Sequence, residues 1–314
     1  MLALAHLFRR IIQLVPLVLG VTMVTFFLIH LVPGDPARTL LGTHATDRAV
    51  AEMDRQLGLN KSIPQQYVLF MTRLSHGNLG ESVLFNEPVS QLVRARLPVT
   101  LWLIGFAAVL SLLIAVPVAT IAAIRRGKIF DHAVRAASIV GLGMPSFWVG
   151  LMLVLLFAIR VHVFPVSGYG SGFTGHLRSM FLPSMAIALG LAPILIRNLR
   201  ARLLEVLDSE YIVTARAKGL SPFRVIVRHA LRNSVLSLIN VLALQIGFLV
   251  GGTVVIENIF ALPGLGQVMV TGIFNRDFAV VQGITLIFAL MIVLVYLVAD
   301  LLYGVFDPRV RRAL

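Results

Sequence analysis

The sequence predicts an all-α membrane protein with six transmembrane helices, and three observations favour that fold class. Of its 314 residues, 58% are hydrophobic and only 13% are charged, about half the charged fraction of a soluble domain. The mean hydropathy of +0.91 leaves too little charge to cover a soluble surface. Six apolar runs are also long enough to cross a hydrocarbon core, which takes roughly 17–25 helical residues. Because backbone groups in lipid must satisfy their own hydrogen bonds, runs of this length indicate helices rather than barrel strands.

The six predicted spans differ in regularity. The second holds no charge, and the fourth is short and contains proline. Pro117, Pro145 and Pro193 are expected to bend or break the spans that hold them. The first span is interpreted as a retained helix, because it is too long for a signal peptide and no small-residue cleavage site follows it. In chain order the spans cover residues 11–32, 97–124, 136–159, 179–196, 233–256 and 278–299.

Lys and Arg concentrate in four segments that six spans would place on one side of the membrane. These segments are 9–10, 125–135, 197–232 and 309–312. Since short cytoplasmic loops carry an excess of Lys and Arg, both termini are predicted to be cytoplasmic. The net charge of +13 is thereby explained by the lipid bilayer as a partner, and no nucleic-acid partner is expected.

Residues 33–96 form a predicted external segment that is too long for a simple loop. It holds seven Lys or Arg and six acids, so its charge nearly balances. Thr46 or Asp47 can cap a helix over residues 48–57, with Gly58 as its stop. The segment is interpreted either as a small solvated cap on a pore or as a spacer that only orders the first two spans.

The cytoplasmic stretch 203–232, which we name the elbow, predicts two short helices joined by a turn. Gly219 stops the first helix, and Ser221 and Pro222 open the second as its N-cap and first residue. The second helix is expected to end near Arg232. The elbow is amphipathic and basic, so it fits either a docking element below the membrane or an interfacial helix on anionic lipid. The first helix carries one broad apolar face: Leu203, Leu204, Val206, Leu207, Tyr211, Ile212 and Ala215.

Polar residues also occur within the fifth span. Asn233, Ser237 and Asn240 share one face at helical spacing, and Gln245 lies off that face. Polar residues in a span usually face the bundle interior or a water-filled path. Asn240 and Gln245 are the candidates for such a path, and hydrogen bonding between helices is the alternative.

The residue types that support covalent or metal chemistry are missing or scattered. There is no Cys, which removes disulfides and thiolate sites. The eight His residues lack the spacing of metal ligands, and no Gly-x-x-x-x-Gly-Lys-Ser/Thr nucleotide-binding motif occurs. No acid, base and nucleophile cluster together. Neither a catalytic site nor a metal or other cofactor is therefore expected, and a membrane enzyme is disfavoured.

The elbow carries the most specific motif of the chain. Residues 211–220, YIVTARAKGL, followed by HALRN at 229–233, resemble the cytoplasmic coupling loop of ABC-importer permeases of the dipeptide, oligopeptide and nickel group. Val213-Thr214-Ala215 replaces the Glu-Ala-Ala of the wider superfamily, and Leu231-Arg232 replaces its Leu-Pro; both departures look typical of this group. Further matches follow in order: PGDP (33–36), GNLG (77–80), GKIFD (127–131), ENIF (257–260), PGLG (263–266), RDF (276–278) and DLLYG (300–304).

The resemblance implies the type I ABC-importer permease fold in a bacterial inner membrane. It implies half of a translocation pore, completed by a homologous second permease subunit, with two ATP-binding subunits that hydrolyse ATP and an extracytoplasmic substrate-binding protein. The implied domains are 1–32 (N-terminus and first span), 33–96 (external segment) and 97–314 (permease core). Ala215 and Gly219 are small enough for close contact with an ATPase. The expected ATPase-coupling residues are Thr214, Ala215, Arg216, Ala217, Lys218, Gly219, Leu220, Ser221 and Pro222.

The cargo stays open at this point. The resemblance favours di- or oligopeptides, and nickel or an opine-like metal–chelator complex is the alternative. A secondary transporter is a different class, but such proteins more often show two internal halves and a carboxylate near the middle of the membrane. Neither feature is evident in the sequence.

Overall fold

The computed structural model describes residue 16 and residues 18–27, 46–57 and 60–306. Within these ranges the chain is mostly helical, with one short antiparallel pair of strands. The strands are β1 (Glu81–Ser82) and β2 (Glu87–Pro88), with Glu81 opposite Pro88 and Ser82 opposite Glu87. The helices are α1 (Val18–Phe27), α2 (Asp47–Leu57), α3 (Ile63–Ser75), α4 (Val89–Ile124), α5 (Ile129–Gly143), α6 (Ser146–Arg160), α7 (Gly172–Leu207), α8 (Glu210–Ala217), α9 (Pro222–Ile259), α10 (Leu265–Phe274) and α11 (Phe278–Phe306).

Four helices in the described ranges are long and apolar enough to cross a membrane: α4, α7, α9 and α11. Helices α5 and α6 add a fifth span if they are counted together, although they meet at an angle of 101°. The first predicted span, 11–32, is described only over α1, and its remainder lies outside the described residues. The described part of the chain therefore contains four or five of the six predicted spans.

The proline predictions have different outcomes. Met144 adopts an extended conformation (φ −88°, ψ 117°) and Pro145 caps the start of α6, so the third predicted span is broken there. This is the conformation that a residue before proline prefers. Pro117 and Pro193 lie inside α4 and α7 and interrupt neither helix.

The chain divides into two compact units, the first formed by Met1–Thr100 and Pro263–Val293. In this unit, α2 begins as predicted, because the Thr46 hydroxyl accepts a hydrogen bond from the backbone N–H of Ala49 at 3.3 Å. The predicted stop at Gly58 lies outside the described residues.

The β1–β2 hairpin of the same unit is held by the buried carboxylate of Asp277. This carboxylate accepts hydrogen bonds from the Ser82 hydroxyl (2.7 Å) and the Leu84 backbone N–H (3.1 Å). Asp277 thereby fastens the β1–β2 hairpin to the start of α11.

The second unit contains Leu101–Leu262 and Leu294–Leu314 and has α7 at its centre. Small residues let neighbouring helices approach this axis. A Cβ atom on Gly141 would lie 2.8 Å from the ring of Pro193, and four alanines of α4 are buried against α7 and the elbow. These alanines are Ala115, Ala119, Ala122 and Ala123. Close packing of this kind positions the elbow against the C-terminal ends of α4 and α7.

Candidate functional site

The elbow consists of the end of α7, the separate helix α8 and the start of α9. Helix α7 ends at Leu207, and Ser209 in extended conformation (φ −78°, ψ 149°) precedes α8. The prediction of one unbroken helix from Leu203 to the turn is therefore wrong. Asp208 and Ser209 interrupt it, because their short polar side chains favour helix ends over interiors.

The second elbow helix begins where predicted but does not end where predicted. Ser221 is extended (φ −62°, ψ 146°) and precedes Pro222, although its side chain makes no cap hydrogen bond. The helix then runs through Arg232 (φ −56°, ψ −40°) to the end of the fifth predicted span as α9. Neither Gly nor Pro stands near Arg232 to stop it. The elbow is thus continuous with a membrane helix.

Gly219 is the turn between the two elbow helices, as predicted. Its φ is +76°, in the left-handed region that favours glycine. Its backbone N–H donates to the Arg216 carbonyl at 2.9 Å, and the Leu220 N–H donates to the Ala215 carbonyl at 3.3 Å. A Cβ atom at Gly219 would meet nothing within 4 Å, so the requirement for glycine is conformational and not a matter of space.

The inner side of the elbow is packed into the core of its own unit. Ile212, Ala215 and Val225 are buried in one cluster with Leu199 and Leu203 of α7. Ala215 therefore packs against its own chain, and its contact with an ATPase stays a prediction. Its size suits the packing of α8 on α7.

The outer side of the elbow is exposed. Phe223, which the sequence analysis missed, is 76% exposed in the first turn of α9. Its position between Pro222 and Arg224, directly after the predicted turn, is the sequence signal that could have found it, because aromatic side chains are enriched at the centres of interfaces. Leu220 is half-buried. The other predicted coupling residues are exposed: Thr214, Arg216, Ala217, Lys218, Gly219, Ser221 and Pro222.

A cavity of about 340 Å³ lies between the elbow and the ends of α4 and α7. Apolar side chains and two arginines line it together. Its lining includes Arg126, Asp208, Arg216, Leu220, Pro222 and Val225. Across this cavity Arg126 Nη1 donates to Asp208 Oδ2 at 2.9 Å.

A second, polar groove of about 470 Å³ lies between α7 and α9. It brings together the three residues that the fifth span was predicted to align, Asn233, Ser237 and Asn240. Three polar residues of α7 that were not predicted complete it: Asn198, Arg202 and Glu205. Gln245 is half-buried further along α9 and does not line this groove.

The described ranges contain no group of three or more His, Asp or Glu side chains arranged to hold a metal ion. The polar side chains that line the cavity and the groove carry one hydroxyl, three amides, three guanidinium groups and two carboxylates. Such groups can bind or position a partner by hydrogen bonds and charge.

Comparison with known proteins gives the family. Residues 115–312 match the family described as "Binding-protein-dependent transport system inner membrane component", and residues 3–104 match "Binding-prot-dependent transport system membrane comp, N-term". The chain is 40% identical over 340 residues to the di/tripeptide transport system permease protein DppB of Pseudomonas aeruginosa, covering 98% of this chain and 99% of that one. It is 37% identical over 338 residues to the dipeptide transport system permease protein DppB of Escherichia coli K12, with the same coverage.

A solved structure shares the fold. The MetNI methionine ABC transporter in an inward-facing conformation matches with a TM-score of 0.59 and 17% identity, over 69% of this chain and 97% of that chain. The family matches cover most of the residues, and the curated relatives match from end to end. The chain therefore belongs to the family of binding-protein-dependent transport system inner membrane components, and it is a multi-pass membrane permease.

Proposed function

We propose that the chain is the permease subunit of an ATP-driven importer of di- and oligopeptides. It forms half of the translocation pore, and a homologous second permease subunit forms the other half. Two ATP-binding subunits hydrolyse ATP, and an extracytoplasmic substrate-binding protein delivers the cargo. The names of the curated relatives support the peptide cargo.

The two-sided elbow carries this proposal. Its inner side is held in the core by Ile212 and Val225, while its outer side presents Phe223 and the bases Arg216 and Lys218. An ATPase surface that receives Phe223 and pulls on the elbow would move a packed body and not a loose loop. Because α9 is continuous with the elbow, that displacement would pass directly into a membrane helix.

The sidedness of the protein follows from its charges. We propose cytoplasmic termini and a cytoplasmic elbow, because the Lys- and Arg-rich segments then share the cytoplasmic side. The segment 33–96 is then external, and we propose that it helps to dock the substrate-binding protein. The core 97–314 carries both the pore and the coupling residues.

The polar groove between α7 and α9 supports a pathway role for Asn240. Asn240 is exposed at the groove, where amide groups could exchange hydrogen bonds with a passing peptide backbone. Gln245 stays in the proposal as a separate pathway residue, further along the same helix. Neither residue needs to bind the cargo tightly, since a delivered substrate only has to pass.

Co-purification tests the proposal directly. Affinity-tagged chain, extracted in mild detergent from its own cells, should carry a second permease and two ATP-binding chains in stoichiometric amounts. Mass spectrometry of the ligand on the cognate binding protein should then find peptides. Isolation without ATP-binding chains would contradict the importer class, and nickel or a metal chelate on the binding protein would contradict the peptide cargo alone.

A further inference from the structure

The loop after α4 is tied to α7 by an ion pair that the sequence analysis did not foresee. Asp131, in the first turn of α5, is 1% exposed. Its Oδ1 accepts from Arg200 Nε at 2.5 Å and its Oδ2 accepts from Arg200 Nη2 at 2.7 Å. The Gly127 backbone N–H donates to the same carboxylate at 3.0 Å. The Asp131 carboxylate thus binds both the loop that precedes α5, through Gly127, and helix α7, through Arg200.

A second ion pair joins the same loop to the base of the elbow. Arg126 contacts Asp208 at 2.9 Å, and these side chains are 62% and 66% exposed. Asp208 is the first of the two residues between the end of α7 and the start of the elbow helix α8. The loop 125–131 is therefore fastened at one buried point and one exposed point.

We propose that Asp131 and Arg200 are positioning residues for ATP coupling, which make the loop 125–131, the end of α7 and the elbow move as one rigid body. This inference rests on the proposed function, in which ATPases displace the elbow. Because the loop connects α4 to α5, a displacement of that body reaches α4 and α5 as well as α9. The ion pair thereby adds a charged link between α5 and α7 to the apolar contacts that already join the elbow to neighbouring helices.

The two ion pairs should differ in importance. A buried bidentate pair resists separation, because either partner left alone would be a desolvated charge. An exposed pair is screened by water and contributes little by itself. Asp131 and Arg200 should therefore be required for coupling. Arg126 and Asp208 join the same two parts of the chain but should not be required.

The first experiment separates coupling from assembly. Asp131→Asn is introduced into the complete transporter, reconstituted with its partner subunits and loaded binding protein. Basal ATP hydrolysis should persist, while peptide transported per ATP hydrolysed should fall at least about fivefold. Arg126→Ala, which removes only the exposed pair, is the matched control and should leave that ratio nearly unchanged. Normal coupling in Asp131→Asn would overturn the inference.

The second experiment restores the junction by a covalent link. The chain has no Cys, so Arg126→Cys and Asp208→Cys can be bridged by a short bifunctional thiol reagent in cysteine-free partner subunits. With Asp131 intact, the bridge should leave transport unchanged, because the bridged parts already move together. In Asp131→Asn, the bridge should recover most of the lost transport per ATP. Transport blocked by the bridge in the Asp131 background would show that the parts must move apart, and would overturn the inference.

Two further variants test the ion pair if Asp131→Asn fails to insert into the membrane. The bridge between positions 126 and 208, made with Asp131 intact, changes neither buried partner. Arg200→Lys keeps the charge but loses the bidentate geometry, so peptide transported per ATP hydrolysed should fall partway in that variant. The proposed function fails separately: an unmodified chain that binds no ATPase contradicts it. An assembled transporter in which these variants couple normally contradicts only the inference.

Discussion

Gly219 sets the angle between the two halves of the elbow. At φ +76° a Cβ atom costs roughly 1 kcal/mol, and more for a β-branched side chain. Gly219→Val should therefore redirect the start of α9 while the membrane helices still insert. We expect near-normal amounts in the membrane, with either loss of the ATPases or ATP hydrolysis without transport, measured by co-purification and by peptide uptake.

Gly172 is a matched control for that substitution. Its φ is +68°, and a Cβ atom there would also meet nothing within 4 Å, so Gly172→Val imposes similar backbone strain at the other end of α7. We expect its transport to stay close to that of the unmodified chain. Wild-type transport in Gly219→Val would show that the elbow does not couple ATP hydrolysis to this pore.

Phe223 is expected to anchor the ATPase. Truncation of a central aromatic at an interface typically costs about 2 kcal/mol or more, which is roughly a 30-fold loss of affinity. Phe223→Ala should weaken ATPase binding by that order, measured by titration of the purified ATP-binding subunits. Phe274→Ala, at an 82% exposed aromatic of α10, should leave the affinity unchanged. Equal losses in both variants would point to a general effect of lost apolar surface.

At the residue scale, features that depend on neighbouring residues could be predicted from the sequence, whereas contacts between distant residues could not. Gly219 and Thr46 were found because a turn and a helix cap depend on the residue itself and its neighbours. The Asp131–Arg200 pair escaped prediction because its partners lie 69 positions apart. Each is also one of several charges in its own segment, so pattern alone does not select the partner.

The helices of the structure extend well past the apolar runs from which they are predicted. The predicted second span starts at residue 97, but α4 starts at Val89, and the predicted fourth span of 179–196 is the middle of α7. Hydropathy finds the part of a helix that suits lipid, whereas the helical hydrogen bonds continue through polar residues such as Arg200. Helices α3 and α10 are not predicted because they are short, although Ser62 and Pro64 stand at the start of α3 as Ser221 and Pro222 do at the start of α9.

The helix α2 allows a test of the external segment. Among the side chains of α2 that the structure describes, Val50 is buried and the others are exposed or half-exposed. The test replaces Asp47–Leu57 by a Gly/Ser linker of equal length. We expect normal assembly with the ATPases and normal basal ATP hydrolysis. Stimulation of that hydrolysis by loaded binding protein should be lost. Retained stimulation would favour the spacer interpretation.

The orientation of the whole chain can be tested by labelling single cysteines, since the native chain has none. Cysteines in place of the exposed residues Ser75 and Ser171 should react with an impermeant maleimide in intact cells. A cysteine in place of Lys218 should react only after lysis. Gly170 is a poor site despite its exposure, because its Cβ atom would lie 2.7 Å from the Gly175 carbonyl oxygen. Labelling at position 218 in intact cells would reverse the proposed sidedness.

At the scale of the molecule, composition and charge could predict a multi-pass helical membrane protein, and the ordered motifs could predict its family. The division into two units could not be predicted. The first unit joins residues up to Thr100 with Pro263–Val293, and such a pairing of distant segments depends on contacts such as that of Ser82 with Asp277. Sequence order alone places α4 and α11 in one core, whereas in the structure each of these helices contributes residues to both units.

Because α7 is long, the thickness of the bilayer is expected to affect where the elbow lies. Its 36 residues correspond to about 54 Å along the axis, whereas a bilayer with its headgroups measures about 40–45 Å. Where the hydrocarbon layer is thinner than the apolar part of the helix, the helix tilts, and each degree of tilt about one end of α7 shifts its other end sideways by roughly 1 Å. The elbow lies at that end, so thinner or thicker acyl-chain layers would present it to the ATPases at a different lateral offset before any nucleotide is bound.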